Sequence, residues 1–542
     1  MQVMSAHPIV SNEIYLYYRL PTLSFEHPAG VTLGEIARCE EDDEIDCIPS
    51  VPQDQLIALK ERYKDTAIWK PLGVGKTRIS PDLNPALREL LQGKHVDLLR
   101  CWCLEPKAEQ FFKKFNLYEE SVDVAERSNK ELWLNWSAAA KERLTSANTQ
   151  VNPVKLCFKQ LRLWVMGTAT AFAELHLSIA TTDGTDVATP HMMEAVAALS
   201  RHNKCRWYDQ KSGKLACSRT ITLGSLIRAL ALGHANTETL SRRVPSYSFI
   251  RLKEQLQPAE LDKVAGFLSR RYTDAYEFDV ASNNVSLLRD FKNLRHAISE
   301  EGAATVINPD ENGEVPSFLE NFQSSVLASA YSPIALTLWN EQSFLTRGRV
   351  KVLKTRSEQA SVDELTGLMD DALLFRLFYR HAHASDISMH NDFSSAFRKV
   401  LGLDKKLEEL QKDVEAVRAK LLSAKQAEER YEEQVKYRKY YWITILGSAA
   451  LAGLTTYTIS NEFFNLVAPT FSEFAMVKEY FGIPTYPDKK ISAWISIFCG
   501  FVIIILTVFF GNKKKPKKPT RHHEGHITLH AMQSHMIKRN LL

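Results

Sequence analysis

The sequence predicts an α+β cytosolic body, a long coiled-coil stalk helix and two C-terminal transmembrane helices. Three observations carry this reading. Leu403, Leu407, Leu410, Val414, Val417, Leu421 and Ala424 recur at alternating spacings of four and three, and Tyr431 and Val435 resume the series after Glu428. Such a heptad seam packs knobs into holes against another seam. Residues 443–459 and 491–511 carry no charge, and the second run is long enough to span a bilayer. Ahead of the seam, alternating strand-like runs are interspersed with helical periodicity.

In order, residues 1–150 read as an N-terminal α/β region. Residues 13–20 (EIYLYYRL) are strand-like and end at a proline. Residues 54–64 and 86–91 are helical by spacing, and 105–136 reads as helix-like pieces. Gly73-Val-Gly-Lys-Thr77 superficially resembles a phosphate loop. The P-loop pattern requires a glycine where Lys70 stands, so a surface turn is the better reading.

Residues 151–400 read as an α+β domain ending in helices. Residues 154–166 and 170–180 form two strands, the second alternating through Ala173, Leu175, Leu177 and Ile179. Residues 192–199 are a short helix. Residues 206–221 form a hairpin turning at Lys211-Ser-Gly-Lys214. His202, Cys205 and Cys217 are too few for an ordinary structural zinc site. Residues 222–300 read as mostly helical, over 223–232, 254–271 and 285–296. Residues 308–315 are a polar turn and a candidate subdomain boundary. Residues 317–345 and 363–379 are helices leading through 381–392 into the stalk.

The stalk occupies 401–439. No glycine or proline lies between Gly402 and Gly447, so one helix is expected from Leu403 to Ile459, roughly 85 Å long. Tyr440, Tyr441 and Trp442 mark a headgroup-level belt before the first span, 440–460. A loop (461–490), a second span (491–511) and a basic, His-rich tail (512–542) follow. Lys436, Arg438 and Lys439 precede the first span, and Lys513, Lys514, Lys515, Lys517 and Lys518 follow the second. The positive-inside rule places both ends in the cytoplasm, and a bacterial-type inner (plasma) membrane is the expected location.

The 542 residues suffice for one large or two ordinary domains, and 45% hydrophobic with 24% charged is ordinary globular composition. The net charge of +4 reflects local lysines at the membrane edges. No nucleic-acid partner is expected. Eight cysteines show no disulfide spacing, which suits a reducing compartment. The first ten residues lack the pattern of a signal peptide. No nucleophile–base order stands out, so the chain is not read as an enzyme. Two clusters carry metal-ligating types: His381, His383, Asp386, His390 and Asp392, with Asp370 and Asp371 one helix away, and His522, His523, His526 and His530 in the tail. A solvated connector and a flexible tail are the plainer readings. No cofactor is certain, and a divalent cation, magnesium or zinc, is the candidate.

The first span carries Thr444, Ser448, Thr455 and Thr458 near one face, with Leu451 or Ala452 completing the stripe and Gly447, Ala449, Ala450, Ala452 and Gly453 keeping it thin. Close helix packing explains this pattern. So does a pore, in which symmetric copies ring a water path and Leu451 forms a constriction.

Over residues 403–518 this plan resembles the CorA-type divalent-cation transporters. The resemblance implies a funnel-shaped homopentamer, a pore lined by the first span, and a basic ring matched by Lys513, Lys514, Lys515, Lys517 and Lys518. The family's Gly-Met-Asn signature is absent, and Tyr457-Thr-Ile-Ser-Asn461 stands in its place. Asn461 and Glu462 are the residues expected at the pore mouth, where Glu462 attracts cations. The expected function is a CorA-like homo-oligomeric channel conducting cations. The alternative is a ligand-gated effector of a CRISPR-type antiviral system, opened by a small nucleotide-type signal. A membrane tether without a pore is the third reading.

Overall fold

The computed structural model describes residues 6–20, 28, 31–32, 67–73, 75–95, 97–106, 108–109, 130–167, 170–201, 204–209, 213–232, 243–270, 285–357, 362–381 and 383–471, with Phe498, Phe501, Val502 and Ile505. Two compact units divide the chain: Met1–Lys354 with Asp363–Asp413, and Thr355–Val362 with Val414–Leu542.

Among the described residues, the first unit is built on a mixed sheet of thirteen strands. These are β1 (Pro8–Leu20), β2 (Trp69–Pro71), β3 (Leu99–Leu104), β4 (Lys130–Leu134), β5 (Val154–Met166), β6 (Thr170–Thr181), β7 (Val187–Ala188), β8 (Lys204–Asp209), β9 (Leu215–Thr222), β10 (Ser246–Leu252), β11 (Val285–Phe291), β12 (Leu294–Ser299) and β13 (Gly302–Ile307). The main path runs β11-β12-β13-β10-β1-β6-β5-β4-β8-β9, and β3 also pairs with β5. The sheet therefore crosses residue 150: β3 and β4 precede it, and β5 follows it.

Tyrosines and alternating residues build β1 as expected, and β5 and β6 form the expected long hairpin. Lys204–Asp209 and Leu215–Thr222 are the second hairpin. Residues 285–296, expected as helix, are β11 and the start of β12. A two-residue turn at Lys292 and Asn293 brings Phe291 opposite Leu294, and pairing overrides the local helical spacing. Lys130–Leu134 is likewise strand rather than helix, with Leu132 and Leu134 buried. The strands β10 and β13 were not foreseen. They pair in parallel and are buried almost throughout, so neither shows the alternation of a half-exposed strand. Gly302 makes that pairing close: a Cβ there would stand 2.6 Å from the Ser246 carbonyl oxygen.

Helices α1 (Pro85–Leu91), α2 (Ala138–Ser146), α3 (Thr189–Ser200), α4 (Leu223–Leu232) and α5 (Pro258–Arg270) accompany the strands. Residues of α3, α4 and α5, among them Met192, Val196, Leu226, Ile227, Leu261 and Val264, share one apolar core with Ile14, Leu16, Leu175, Leu177, Ile250 and Val306. Asn308 bonds the backbone of Leu256 in both directions, so the 308–315 turn is tied into this unit. Helix α6 (Ser317–Glu320), a ten-residue π-helix (Phe322–Tyr331), α7 (Ser332–Ser357), α8 (Val362–Phe378) and α9 (Ser388–Leu401) follow. Gly402, at φ 60°, ends α9 in the left-handed conformation.

Helix α10 (Leu403–Phe471) is one uninterrupted element. Leu403, Leu407 and Leu410 are buried, and Leu410 lies against Gly348 of α7. The first turns of the heptad seam are thus spent inside the first unit, not on a second copy. Residues 461–471, expected as the start of an external loop, are helix. No glycine or proline interrupts them before Pro469. Residues 54–64 and most of the second span lie outside the described residues. Phe498, Phe501, Val502 and Ile505 of that span are helical and exposed.

Candidate functional site

The two faces of the sheet differ in chemistry. Register places Tyr15 opposite His176 and Tyr247, Tyr17 opposite Glu174, and Glu13 opposite Phe249. Directly paired residues share a face. So do alternate residues along a strand. Glu13, Tyr15, Tyr17, Glu174, His176, Tyr247 and Phe249 therefore line the side away from the α3–α5 core. Beyond them come Gln160 and Arg162 of β5 and Thr305 and His296 of β13 and β12. The π-helix, α7 and α9 cover part of this polar face, through Phe249–Phe322, Tyr17–Trp339 and Tyr247–Phe393 ring contacts.

Glu13 is the centre of the polar face and is only 3% exposed. His176 Nε2 lies 2.6 Å from its Oε2, and the Lys159 ammonium and Gln323 amide both donate to Oε1. Two backbone irregularities deliver those donors. Lys159 stands at a bulge in β5 between Phe158 and Gln160, and Gln323 sits in the π-helix. Bulges re-aim side chains, and π-turns gather at functional sites. Burial pushes the Glu13 carboxyl up, but the bonds and charge of His176 and the bonds of Lys159 and Gln323 outweigh it and hold it below its usual value. Tyr15 stacks on His176 at 4.2 Å and 10°.

Around this centre the polar groups form short chains. Glu174 accepts from Trp164 Nε1 at 2.7 Å and from Ser332 Oγ at 2.7 Å, and Tyr17 Oη lies 2.7 Å from the same Oγ. Thr305 Oγ1 stands 2.7 Å from Tyr247 Oη and 2.8 Å from His296 Nδ1. Burial, with the nearby His390, takes the His296 imidazole down to about 3. Among the described residues Ser11 Oγ, Tyr15 Oη, Arg162 Nε and Arg251 Nε are buried without a hydrogen-bond partner. A buried polar atom left unmatched requires an explanation.

Sequence reading took 13–20 as a strand and missed this centre. The signal was there in the alternation of Glu13, Tyr15, Tyr17 and Arg19, polar or aromatic at every second position. Its partners come from residues far along the chain, so no local motif announces them.

Helix α10 carries the sequence-predicted pore residues. Leu403–Ile459 is long and apolar enough to cross a membrane. Ile443, Leu451, Leu454 and Ile459 are each at least 64% exposed. The Thr444 and Ser448 hydroxyls donate to the carbonyls four residues back at 2.9 and 2.8 Å, and Thr458 does so at 2.7 Å. Thr455 makes the same bond to Leu451. Each donor is thus satisfied within the helix, which suits an apolar surrounding. Because the helix runs on through residue 461, Glu462 falls five turns beyond Thr444, on the hydroxyl face. Asn461 lies on the helix, with its side chain outside the described set.

The proposed metal cluster does not assemble. Among the described residues no group of three or more His, Cys, Asp or Glu is placed to hold a metal ion. His390 Nδ1 of α9 lies 2.9 Å from Ser385 Oγ just ahead of the helix, His381 Nε2 is 3.2 Å from the Phe378 carbonyl, and His383 and Asp386 point to solvent. Burial lowers both His381 and His390 below their usual value. In the phosphate-loop look-alike, Lys76 N bonds the Gly73 carbonyl at 3.0 Å and Gly75 is a turn residue, while Val74 lies outside the described residues. His202, Lys513, Lys514, Lys515, Lys517, Lys518, His522, His523, His526 and His530 lie outside the described residues. No family model, curated protein or solved structure matches the chain.

Proposed function

We propose that the chain is a homo-oligomeric membrane channel, its conducting path formed where residues 443–462 of several copies meet. One observation carries this reading. A single helix passes from a charged segment into an uncharged one whose apolar side chains are exposed, while Thr444, Ser448, Thr455, Thr458 and Glu462 share one face. Bilayer covers the apolar faces, and the hydroxyl face turns toward its copies. Leu451 is the constriction. Hydroxyls that already donate within their helix still offer oxygen lone pairs, which favours cations in the path.

The polar sheet face favours the ligand-gated form of this channel. A simple conduit has no use for a buried, multiply bonded carboxylate ringed by unmatched donors. In this form a ligand binds the sheet unit and the path stays closed without it. The test is ion flux through the purified protein in liposomes, comparing Mg²⁺, Zn²⁺ and K⁺. Flux that falls on replacing both Ser448 and Thr455 with Leu supports the path. Flux that survives the double change refutes this path, and a protein that carries no ion under any ligand condition refutes the channel and leaves a tether.

A further inference from the structure

The polar face of the sheet is covered only in part, and its open half has its own composition. Register puts Arg206 opposite Trp133, Trp133 opposite Lys155, and Lys155 opposite Ala180. These four stand in one row on the face that carries Glu13, and all are at least partly exposed. Their neighbours along the strands, Leu132, Leu134, Leu156, Cys205 and Trp207, are buried on the other side. At the far end of the face, Ser11 pairs with Arg251 across β1 and β10. Exposure rises steadily across the junction. Tyr15 is 3% exposed, the side chains of His176 and Lys159 are 17% and 39%, and Cys157 is open. The rim of the π-helix thus meets an uncovered, polar sheet.

The charges on this face do not balance. Lys159 pairs with Glu13, Lys155 lies 3.2 Å from Glu131, and Arg162 is 3.9 Å from Glu174. Arg206 and Arg251 have no carboxylate partner among the described residues, which leaves a surplus of positive charge. The unmatched buried groups agree in kind. Arg251 Nε is a pure donor, and Tyr15 Oη and Ser11 Oγ are hydroxyls free to donate. What the site lacks is acceptor oxygen carrying negative charge. Phosphate supplies that chemistry, and arginine forks match it.

An aromatic element lies on the same face. Trp133 and Tyr208 stack at 4.1 Å and 13°, and the Lys155 ammonium sits 5.8 Å from the Trp133 ring centre. The strands from β4 to β1 span three spacings, about 14 Å. One small molecule with a ring at one end and phosphate at the other bridges that distance. Aromatic side chains on an open sheet are a recurrent platform for heterocyclic bases.

We infer that this junction binds a small phosphorylated ligand bearing an aromatic base. Its phosphate lies toward Lys159 and Arg251, which converge on β1 near Glu13 and Ser11, and its base lies against Trp133 and Tyr208. The inference deepens the ligand-gated reading, and only its consequence for flux rests on that reading.

The experiment is calorimetric titration of the full chain in detergent with the four ribonucleoside triphosphates, inorganic triphosphate and adenosine. At least one nucleotide is expected to bind, more tightly than inorganic triphosphate. Lys159→Gln, at a position 39% exposed, is expected to weaken it about tenfold or more, the equivalent of one lost charge-assisted contact. Trp133→Ala is expected to bring nucleotide and inorganic triphosphate to the same affinity. The site is overturned if no nucleotide binds, or if binding is indifferent to Lys159→Gln, Lys155→Glu and Trp133→Ala together. Binding in detergent without any nucleotide-dependent flux in liposomes upholds the site and sinks the gating reading.

Discussion

The Glu13 centre makes a quantitative prediction. Glu13→Gln keeps the shape and removes the charge. His176 and Gln323 each give the carboxylate a part-buried bond, and such charge-assisted bonds contribute about 1.5–3 kcal/mol apiece. Neutral bonds are roughly half as strong. The Lys159 ammonium, 39% exposed, adds at most about 1 kcal/mol after solvent screening. The substitution should therefore cost about 2–4 kcal/mol, concentrated where Gln323 holds the π-helix to the sheet. The assay is amide hydrogen exchange at pH 7. Amides of Phe322–Tyr331 should exchange about 30- to 1000-fold faster in the variant, with α3 and α5 little changed. The sign with pH is fixed too. The Glu13 carboxyl is held below its usual value of 4.5, so its contribution is complete above that pH and is lost as pH falls through the folded value. The gap between wild type and variant should close below about pH 4.5. Equal exchange in the two proteins, or an increase spread evenly over the sheet, would refute the reasoning.

Two further outcomes follow from other parts of the fold. Gly302→Ala would push a Cβ against the Ser246 and Ser269 carbonyls at 2.6 and 2.9 Å. It should cost about 1–3 kcal/mol or more in urea unfolding, whereas Gly367→Ala, with open space around it in α8, should be neutral or stabilising by up to about 1 kcal/mol. His296, lowered to about 3 from 6.5, stays neutral in the folded state while the unfolded chain takes up a proton. Its share of stability should fall by about 1.4 kcal/mol per pH unit between pH 6 and 4. His296→Gln should flatten the profile over that range, as read from unfolding midpoints.

How much of this was legible depended on distance along the chain. The β5–β6 hairpin, α3, α4 and the single helix through Gly447 follow from local spacing, and each is where the spacing puts it. The parallel pair β10 and β13 is buried on both faces, so its strands carry no period-two signal. Residues 285–296 show the opposite failure. Val285 and Leu288 fit a helix locally, yet both find partners on β12, and pairing decides. The heptad seam was read correctly as a packing surface, but its first leucines meet α7 of the same chain. A seam specifies that something packs, not what. The histidines of 381–390 were grouped by sequence proximity. Folding disperses them, with His390 bonded to Ser385 and packed against the Tyr331 ring and His383 left in solvent.

The start of α10 is set by charge as well as by apolar packing, and the two contributions can be separated. Glu341 of α7 is 1% exposed, with Arg380 Nε at 3.5 Å and Arg398 at 3.3 Å. Arg380 also pairs with Asp404, in the first turn of α10. Burial raises the Glu341 carboxyl despite both arginines, and neither of its oxygens has a hydrogen bond among the described residues. A buried ion pair so poorly bonded adds little net stability, because desolvation offsets attraction. Glu341→Gln should therefore change stability by about 1 kcal/mol or less. Arg380→Ala is different, since it leaves the carboxylate with one arginine and frees Asp404. With Arg398 remaining, its cost should be about 2–3 kcal/mol, below the 3–5 of a fully orphaned charge. Combining the two removes the buried charge and its missing partner together. The double variant should then be more stable than Arg380→Ala alone, a coupling of about 1–2 kcal/mol in a double-mutant cycle. Additive costs would mean that Arg380 acts through its packing and Asp404 alone. The π-helix and α7 are continuous at Ser332. Glu341 is thus two to three turns from the Ser332 hydroxyl that bonds Glu174 on the sheet. A cycle that shows coupling here would put the polar sheet face and the first turn of α10 on one stiff element.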